Sequence, residues 1–488
     1  MTIPSDHPQA EAGAMPPPGC PAHGMYTRLY GGEAEADPAG LYEKLRTEHG
    51  SVAPVLLEGD VPAWLVLGYR ENMEAARTPA RFSRDARIWR DWNEGRVPAD
   101  APIIPMIGWR PDCVSQDGEE HRRLRSAVND SLARFDRHGI RRHIQRYANQ
   151  LIDEFAGAGR VELLSQYAKH LPMLVLTRMF GMPEELGPRL VEACTELIKG
   201  GENALAHNDF IVGALADLVA AKRAEPGHDF ASWLIAHPAQ LTEEEVLSHL
   251  RLVLIAANET TTNLIANTMR VVLTDQRFRA SLTGGLMTIP DAVEQVLWDE
   301  PPLAVCPGRF ATGDMEFGGQ QIKSGDLLVL GFAAGNADPA VRADPTTPLH
   351  GNRSHLAFSR GPHECPGQDI GRAITDTAVD ALLARLPDTH LAVADAGLSW
   401  TSSTWSRHLD ELPAEFAGRR PAPTPPPAEV SAPSTPKATA TATSAAGSQQ
   451  PQTQVPQPGV PTSPYAEPYV PAAPRSRWRA LINRLLGR

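Results

Sequence analysis

Cysteine is scarce in this chain of 488 residues: there are five, Cys20, Cys113, Cys194, Cys306 and Cys365, an odd number with no Cys-x-x-Cys pair. That spacing argues against a disulfide framework or a cysteine zinc site and for a reducing, cytoplasmic setting. Long apolar runs are missing too. No stretch of about 18 uncharged apolar residues occurs, so no membrane-spanning helix is expected. The N-terminus, MTIPSDHPQAEAGAMPPPG, has no basic start followed by an apolar run and does not read as a secretory signal. Positive charge is in deficit, with a formal net charge of −12. This balance argues against nucleic-acid binding by the body of the chain. No repeat of fixed period is visible.

What is present divides the chain. Residues 1–25 are polar and Pro-rich and are expected to be disordered. Residues 26–420 carry mixed apolar and charged periodicity and read as one globular domain. Residues 421–474 hold 15 of the 45 prolines, with Ala, Thr, Ser and Gln between them. Such a segment cannot bury a core and is expected to form an extended linker. Residues 475–488, RSRWRALINRLLGR, place Trp478, Leu481, Ile482, Leu485 and Leu486 at helical spacing, with arginines off that stripe. Residues 421–488 have a net charge of +4 against −16 for the rest. The basic amphipathic tail has three readings: contact with an anionic membrane surface, docking in a partner's groove, or a frayed peptide without a role.

Within the body, periodicity predicts helices over 38–49, 119–135, 140–157, 161–180, 184–200, 210–223, 243–273, 291–299 and 366–386. The helix from Glu243 starts with a capping box, Thr242 and Glu245. Strand-like runs are fewer, at 52–57, 62–67, 327–330 and 389–393, and PAWLVLGY reads as an edge strand leading into a helix. The fold class is therefore mainly α with a small β-sheet subdomain.

The densest signal is HLAFSRGPHECPGQDIGRAI, residues 355–374. A Gly- and Pro-rich loop ends at Cys365, and Pro366 suits the first position of a following helix. Free N–H groups at a helix N-terminus lower a cysteine's pKa and favour its thiolate. Gly361 and Gly367 would let the backbone pass close to a flat cofactor. A buried structural cysteine is the commoner fate of a free Cys, and the other four take that reading.

Phe358, Gly361, His363, Cys365 and Gly367 match Phe-x-x-Gly-x-(His/Arg)-x-Cys-x-Gly, so this loop resembles the cytochrome P-450 family, with Ser359 where many members have Gly. The resemblance extends over residues of about 26–417 and implies the cytochrome P-450 fold, a haem b and Cys365 as the iron's thiolate ligand. It implies propionate contacts from His363, from His121 and Arg125 in DGEEHRRLRSAV, from Arg309 in CPGRFATG and from His355, and it packs Phe358 near the sulfur. His121 and Arg125 are four apart, hence on one helix face.

Residues 252–265, LVLIAANETTTNLI, are an apolar helix interrupted by polar residues, which are costly in a buried helix unless they have partners or a task. The segment is similar to the family's oxygen-binding groove, with Ala257 in place of its Gly. By that likeness Thr260 would hydrogen-bond dioxygen and Glu259 would relay protons. The plain alternative is threonines bonding back to the preceding turn.

One family feature is missing. Glu-x-x-Arg before the Pro-Pro turn aligns with Gln295 and Trp298 in AVEQVLWDEPP, and no register shift rescues it: Glu294 leads to Leu297 and Glu300 to Leu303. The usual downstream arginine is not evident in DPTTPLHGNRSH. Losing a whole buried ion triad can be neutral, so co-adapted repacking is expected, with Trp298 filling volume and Gln295 hydrogen-bonding. Decay of haem binding is the alternative. The segment is similar to a small actinomycete subgroup that lacks the motif.

The resemblance implies a monooxygenase acting on an apolar small molecule. No flavin or ferredoxin segment is fused, so electrons would come from a separate ferredoxin and its NAD(P)H-dependent reductase. A non-catalytic haem sensor or scaffold at a membrane-associated complex is the rival reading, and a peroxide-driven haem enzyme is a third. Trp89, Trp92, Ile103, Ile104 and Met106 suggest an apolar pocket, although such residues are more often core.

Overall fold

The computed structural model describes residues 26–418, except 200–203, 276–278, 280–283, 286, 345–348 and 350. The expected disordered start, the Pro-rich linker and the basic tail helix all lie outside the described residues.

Helices dominate. The central one, Glu243–Thr274, begins with the expected capping box: Thr242 and Glu245 satisfy each other's backbone N–H groups. It packs against His170–Phe180, Ile289–Asp299 and Gln368–Arg385. Leu254, Ile265 and Met269 from this helix join Phe180, Phe230 and Leu382 in the main apolar core. Among the described residues, no helix is long and apolar enough to cross a membrane.

The small sheet has six strands in the order Thr27–Arg28, Val52–Leu57, Val61–Val66, Leu327–Gly331, Val305–Ala311 and Phe82–Ser83. Val52–Leu57 and Val61–Val66 form a hairpin, with Val52 opposite Val66. Val61–Val66 then pairs in parallel with Leu327–Gly331. It is thus an interior strand, not the edge strand expected from PAWLVLGY. Its nearly continuous burial fits that place, since interior strands covered on both faces lose the polar alternation of an edge. The helix expected after it is Tyr69–Arg77.

The helix expected over 161–180 is broken. Arg160–Glu162 is a strand pairing with Pro413–Glu415, and only His170–Phe180 is α-helical. The Glu162 carboxylate accepts the N–H groups of Leu164 and Ser165, which stops an earlier helix start. A partner some 250 residues away is invisible to local periodicity. Trp89, Trp92, Ile103 and Ile104 are core against the sheet, while Met106 is exposed.

Loss of the cap should be measurable. Thr242→Ala is expected to lower stability by about 1 kcal/mol. The readout is a fall in the thermal midpoint with no change in the visible spectrum of the purified protein.

Candidate active site around Cys365

Pro366 does not open the helix after the cysteine. That helix is Gln368–Arg385, and Pro366 and Gly367 form a turn before it. The Cys365 N–H donates to the Phe358 carbonyl at 2.9 Å, closing the loop on itself. Ser359 has φ +59, in the left-handed region, which explains why glycine suits that position. Gly361 has φ +75, and a Cβ there would lie 2.7 Å from the Ala76 carbonyl oxygen. Its lack of a side chain serves packing on the helix Tyr69–Arg77. A Cβ on Gly367 would meet the Cys365 sulfur at 4.0 Å, an ordinary contact.

Burial pushes the Cys365 thiol up. The Gly367 N–H and the charges of Arg125 and Arg372 pull the other way without prevailing. The expected helix-terminus activation is therefore insufficient alone. A bound cation beside the sulfur would favour its anion.

Around the loop the structure brings together His121, Arg125, Arg309 and His363. The rings of His121 and His363 lie 4.2 Å apart. His363 Nε2 is 3.1 Å from Asp117 Oδ1, while His363 Nδ1 and His121 Nε2 are buried without a hydrogen-bond partner. Burial lowers the pKa of His121 to about 4 and that of His363 to about 3, so both are neutral at pH 7. Arg309 reaches the cluster through a bulge. Val305–Ala311 changes register between Cys306 and Arg309, and Gly308 takes φ +67. The Arg309 side chain is 2% exposed, and its one hydrogen bond among the described residues goes to the Gly308 carbonyl at 3.4 Å. Burial, helped by the Arg84 charge, lowers its pKa to about 9. A buried guanidinium with no carboxylate, next to two orphaned imidazole nitrogens, is a cradle made for anions. Arg125 donates to the Glu364 carbonyl, beside Cys365, and to Asn129.

The middle of the central helix is incompletely covered. Ala256 is exposed and Leu252, Ile255 and Thr260 are half-buried in the middle of a helix otherwise packed by its neighbours. Val253, Ala257 and Glu259 are half-buried there too. Thr260 Oγ1 donates to the Ala256 carbonyl at 2.7 Å, and Glu259 Oε1 accepts from Asn263 at 3.4 Å. Thr260 thus bonds back to the preceding turn, the plain alternative, yet its oxygen remains free to accept.

His355 is placed differently from expectation. It is fully buried, with Nε2 3.0 Å from Glu294 Oε2 and its ring edge-on to Trp298. It joins an ion network through Nε2, while its Nδ1 is buried without a hydrogen-bond partner. Glu294, 2% exposed, also takes Arg372 Nε at 2.5 Å and Arg353 Nε at 3.3 Å. Burial opposes its ionisation, but hydrogen bonds from His355 and Arg372 outweigh burial and hold its carboxyl below the usual range. The Arg372 guanidinium stacks over Phe358 at 4.5 Å. The ionic triad is therefore not lost outright. A carboxylate one residue before the motif position reaches an arginine on the helix after the cysteine. Trp298 Nε1 donates to the Asn352 carbonyl at 2.8 Å, and Gln295 bonds Asp299 and the Leu349 N–H, as the repacking reading requires.

Sequence reasoning missed Asp117, Arg84, Glu294 and Arg372. Asp117 stood at a visible helix start, but its carboxylate accepts from Ser83, Arg84 and His363 instead of capping. Nothing local marked the other three. Removing the Glu294 carboxylate strands a buried guanidinium, so Glu294→Ala is expected to cost about 3–5 kcal/mol. Gln295→Ala, at a half-buried site, should cost under about 1 kcal/mol. Thermal unfolding of both variants gives the comparison, and equal losses would remove Glu294 from this role.

No family model matches the chain. It is 30% identical over 400 residues to 2-hydroxy-5-methyl-1-naphthoate 7-hydroxylase of Streptomyces carzinostaticus, covering 79% of this chain and 97% of that protein. It is 30% identical over 405 residues to cytochrome P450 monooxygenase PikC of Streptomyces venezuelae, covering 80% and 95%. The solved structure of CYP154C4 from Streptomyces sp. W2061 matches with a TM-score of 0.74 at 27% identity, covering 81% of this chain and 99% of that one. These relatives are named as hydroxylases and monooxygenases, which favours a catalyst over a haem sensor. With 30% identity maintained over nearly the whole length of such relatives, the chain belongs to the cytochrome P450 family of haem-thiolate monooxygenases.

Proposed function

We propose that Cys365 supplies the thiolate ligand of a haem iron and that His121, Arg125, Arg309 and His363 hold the haem propionates. The observation that carries this is the cradle around the loop: a buried Arg309 with no ion pair among the described residues, and buried nitrogens on His121 and His363 without partners. Two carboxylates would neutralise Arg309 and accept from His121 Nε2–H, and His363, held by Asp117, would donate from Nδ1 once protonated by the arrival of that charge. When bound, haem supplies the activation of dioxygen, one atom of which enters the substrate.

The chain's own part is to hold, orient and shield. The Phe358–Cys365 hydrogen bond fixes the sulfur's height, and Arg372 over Phe358 ties the loop to Glu294. Thr260 Oγ1, which donates to the Ala256 carbonyl, keeps lone pairs free to accept, and Glu259 beside it in sequence would take part in proton relay. The substrate is a small molecule, as the relatives' names as hydroxylases and monooxygenases of small compounds suggest.

Electrons come from a ferredoxin recharged by an NAD(P)H-dependent reductase. A depression of about 770 Å³ runs to Cys365 on a side lined by no residue of the central helix. Arg125, Arg141 and Arg353 stand on its wall among Glu364, Asp369 and Asp376, and the exposed guanidinium groups of Arg141 and Arg353 would meet the carboxylates of an acidic donor.

Two measurements test this. The reduced protein with carbon monoxide should give the long-wavelength band typical of thiolate ligation, and Cys365→Ser should abolish it; an unchanged spectrum would free Cys365 of this role. Supplied with ferredoxin, reductase and NADPH, Thr260→Ala should keep the band but lose product formation relative to NADPH consumed, by about tenfold or more. Unaltered coupling would remove Thr260 from proton delivery.

A further inference from the structure

One buried cation beside the cysteine loop does more than tie it to a neighbouring helix. Arg372 is 7% exposed and lies on Gln368–Arg385, one helical turn after its first residue. Its guanidinium meets Glu294 twice, through Nε at 2.5 Å from Oε1 and Nη2 at 3.3 Å from Oε2. Nη1 donates to Gln368 Oε1 at 3.1 Å, and Gln368 Nε2 donates at 3.4 Å to Glu364, the residue before Cys365. The same guanidinium stacks 4.5 Å over Phe358, whose carbonyl accepts the Cys365 N–H. Arg372 thus reaches both flanks of the loop that carries the sulfur.

The charge that the sulfur feels depends on how its neighbours are paired. The charges of Arg125, Arg372 and Glu364 all act on Cys365. Glu364 is paired with Arg360 at 3.1 Å. Arg125 belongs to the propionate set and would be neutralised there. Arg372 remains. Its counter-ion Glu294 is 2% exposed but shared: His355 Nε2 lies 3.0 Å from Oε2 and Arg353 Nε 3.3 Å from Oε1. A carboxylate divided among three partners cancels the Arg372 charge only in part. Where water is excluded, charges act on one another far more strongly than at the surface. Arg353, with its side chain 62% exposed, lacks that leverage.

We propose that Arg372 is a positioning residue that sets the electron-donor strength of the Cys365 sulfur, and that Glu294 opposes it by masking part of its charge. This assignment rests on the Cys365 reading above. A cation held near the sulfur stabilises negative charge on it and on the metal it ligates, and so favours reduced iron; the carboxylate works the other way. Mere bracing of the loop would make the two residues act alike, because removing either one breaks the same ion pair. Electrostatic tuning makes them act oppositely.

Spectroelectrochemical titration of the purified haem protein tests it, with the carbon monoxide band recorded for every variant. In Arg372→Gln the ferrous form should be disfavoured about tenfold at a fixed poise, a potential about 59 mV lower for one electron. Glu294→Gln keeps the shape and leaves the arginine uncancelled, so its potential should rise. Arg372→Lys should return the potential most of the way to that of the unmodified protein. Arg353→Gln removes the same unit charge from an exposed, screened site and should shift the potential less than about half as far as Arg372→Gln. Shifts of one sign in Arg372→Gln and Glu294→Gln, no shift in either, or a shift in Arg353→Gln as large as that in Arg372→Gln overturns the proposal. If Arg372→Gln takes up no haem, Glu294→Gln decides alone: a rise supports the proposal and its absence overturns it. Any of these failures with a normal carbon monoxide band in the unmodified protein sinks this inference alone. A missing band there sinks the Cys365 reading instead.

Discussion

A guanidinium buried without an anion is the constraint around which this site is organised. Arg309 lies almost fully out of water with one long hydrogen bond to a neighbouring carbonyl. Left alone, such a group destabilises the fold. Here it sits beside two imidazoles kept neutral by burial, each with a buried nitrogen lacking a partner. Stability and function are thereby coupled: the groups that are expensive in the empty fold are those that two propionates would satisfy. Ligand binding then stabilises the folded chain by mass action.

The second organising feature is the Glu294 network. In the family pattern a carboxylate and an arginine share one helix, a turn apart. In this chain Gln295 and Trp298 occupy those places, and the ionic contact has moved between elements. Glu294 on Ile289–Asp299 meets Arg372 on Gln368–Arg385, with His355 and Arg353 from the intervening segment. Because Arg372 also covers Phe358, the network reaches the cysteine loop through one aromatic ring. Trp298 fills the space of the missing arginine and satisfies its own indole N–H. The outcome departs from the expected loss of the whole ionic triad: packing has changed, but a buried carboxylate and guanidinium remain.

The helices with strong periodicity were legible, and so was the capping box at Thr242. Residues 161–180 were not. An apolar run there resembles a helix until Glu162 turns its carboxylate onto the following amides and Arg160–Glu162 finds a strand partner from the end of the domain. The hairpin strand Val61–Val66 was visible, but its interior position was not, since parallel pairing with Leu327–Gly331 is a long-range choice. Of the site, the cysteine loop, His121, Arg125, Arg309 and His363 could be found because a spaced motif carries them. His355 could be named but not placed. Its neighbour in space, Glu294, is 61 positions away.

Local chemistry along the chain determined that this protein is mainly helical, that a loop rich in Gly and Pro presents Cys365, and that a polar interruption marks the middle of the central helix. Those features depend on neighbours within a few residues, and so they survive in the linear order. Tertiary structure decided which charges have partners. The pairing of Glu294 with Arg372 and the lack of an ion pair for Arg309 among the described residues both depend on which distant groups share a buried volume. Electrostatic cost inside a protein is set by that shared volume and its exclusion of water, and neither quantity is written in residue order.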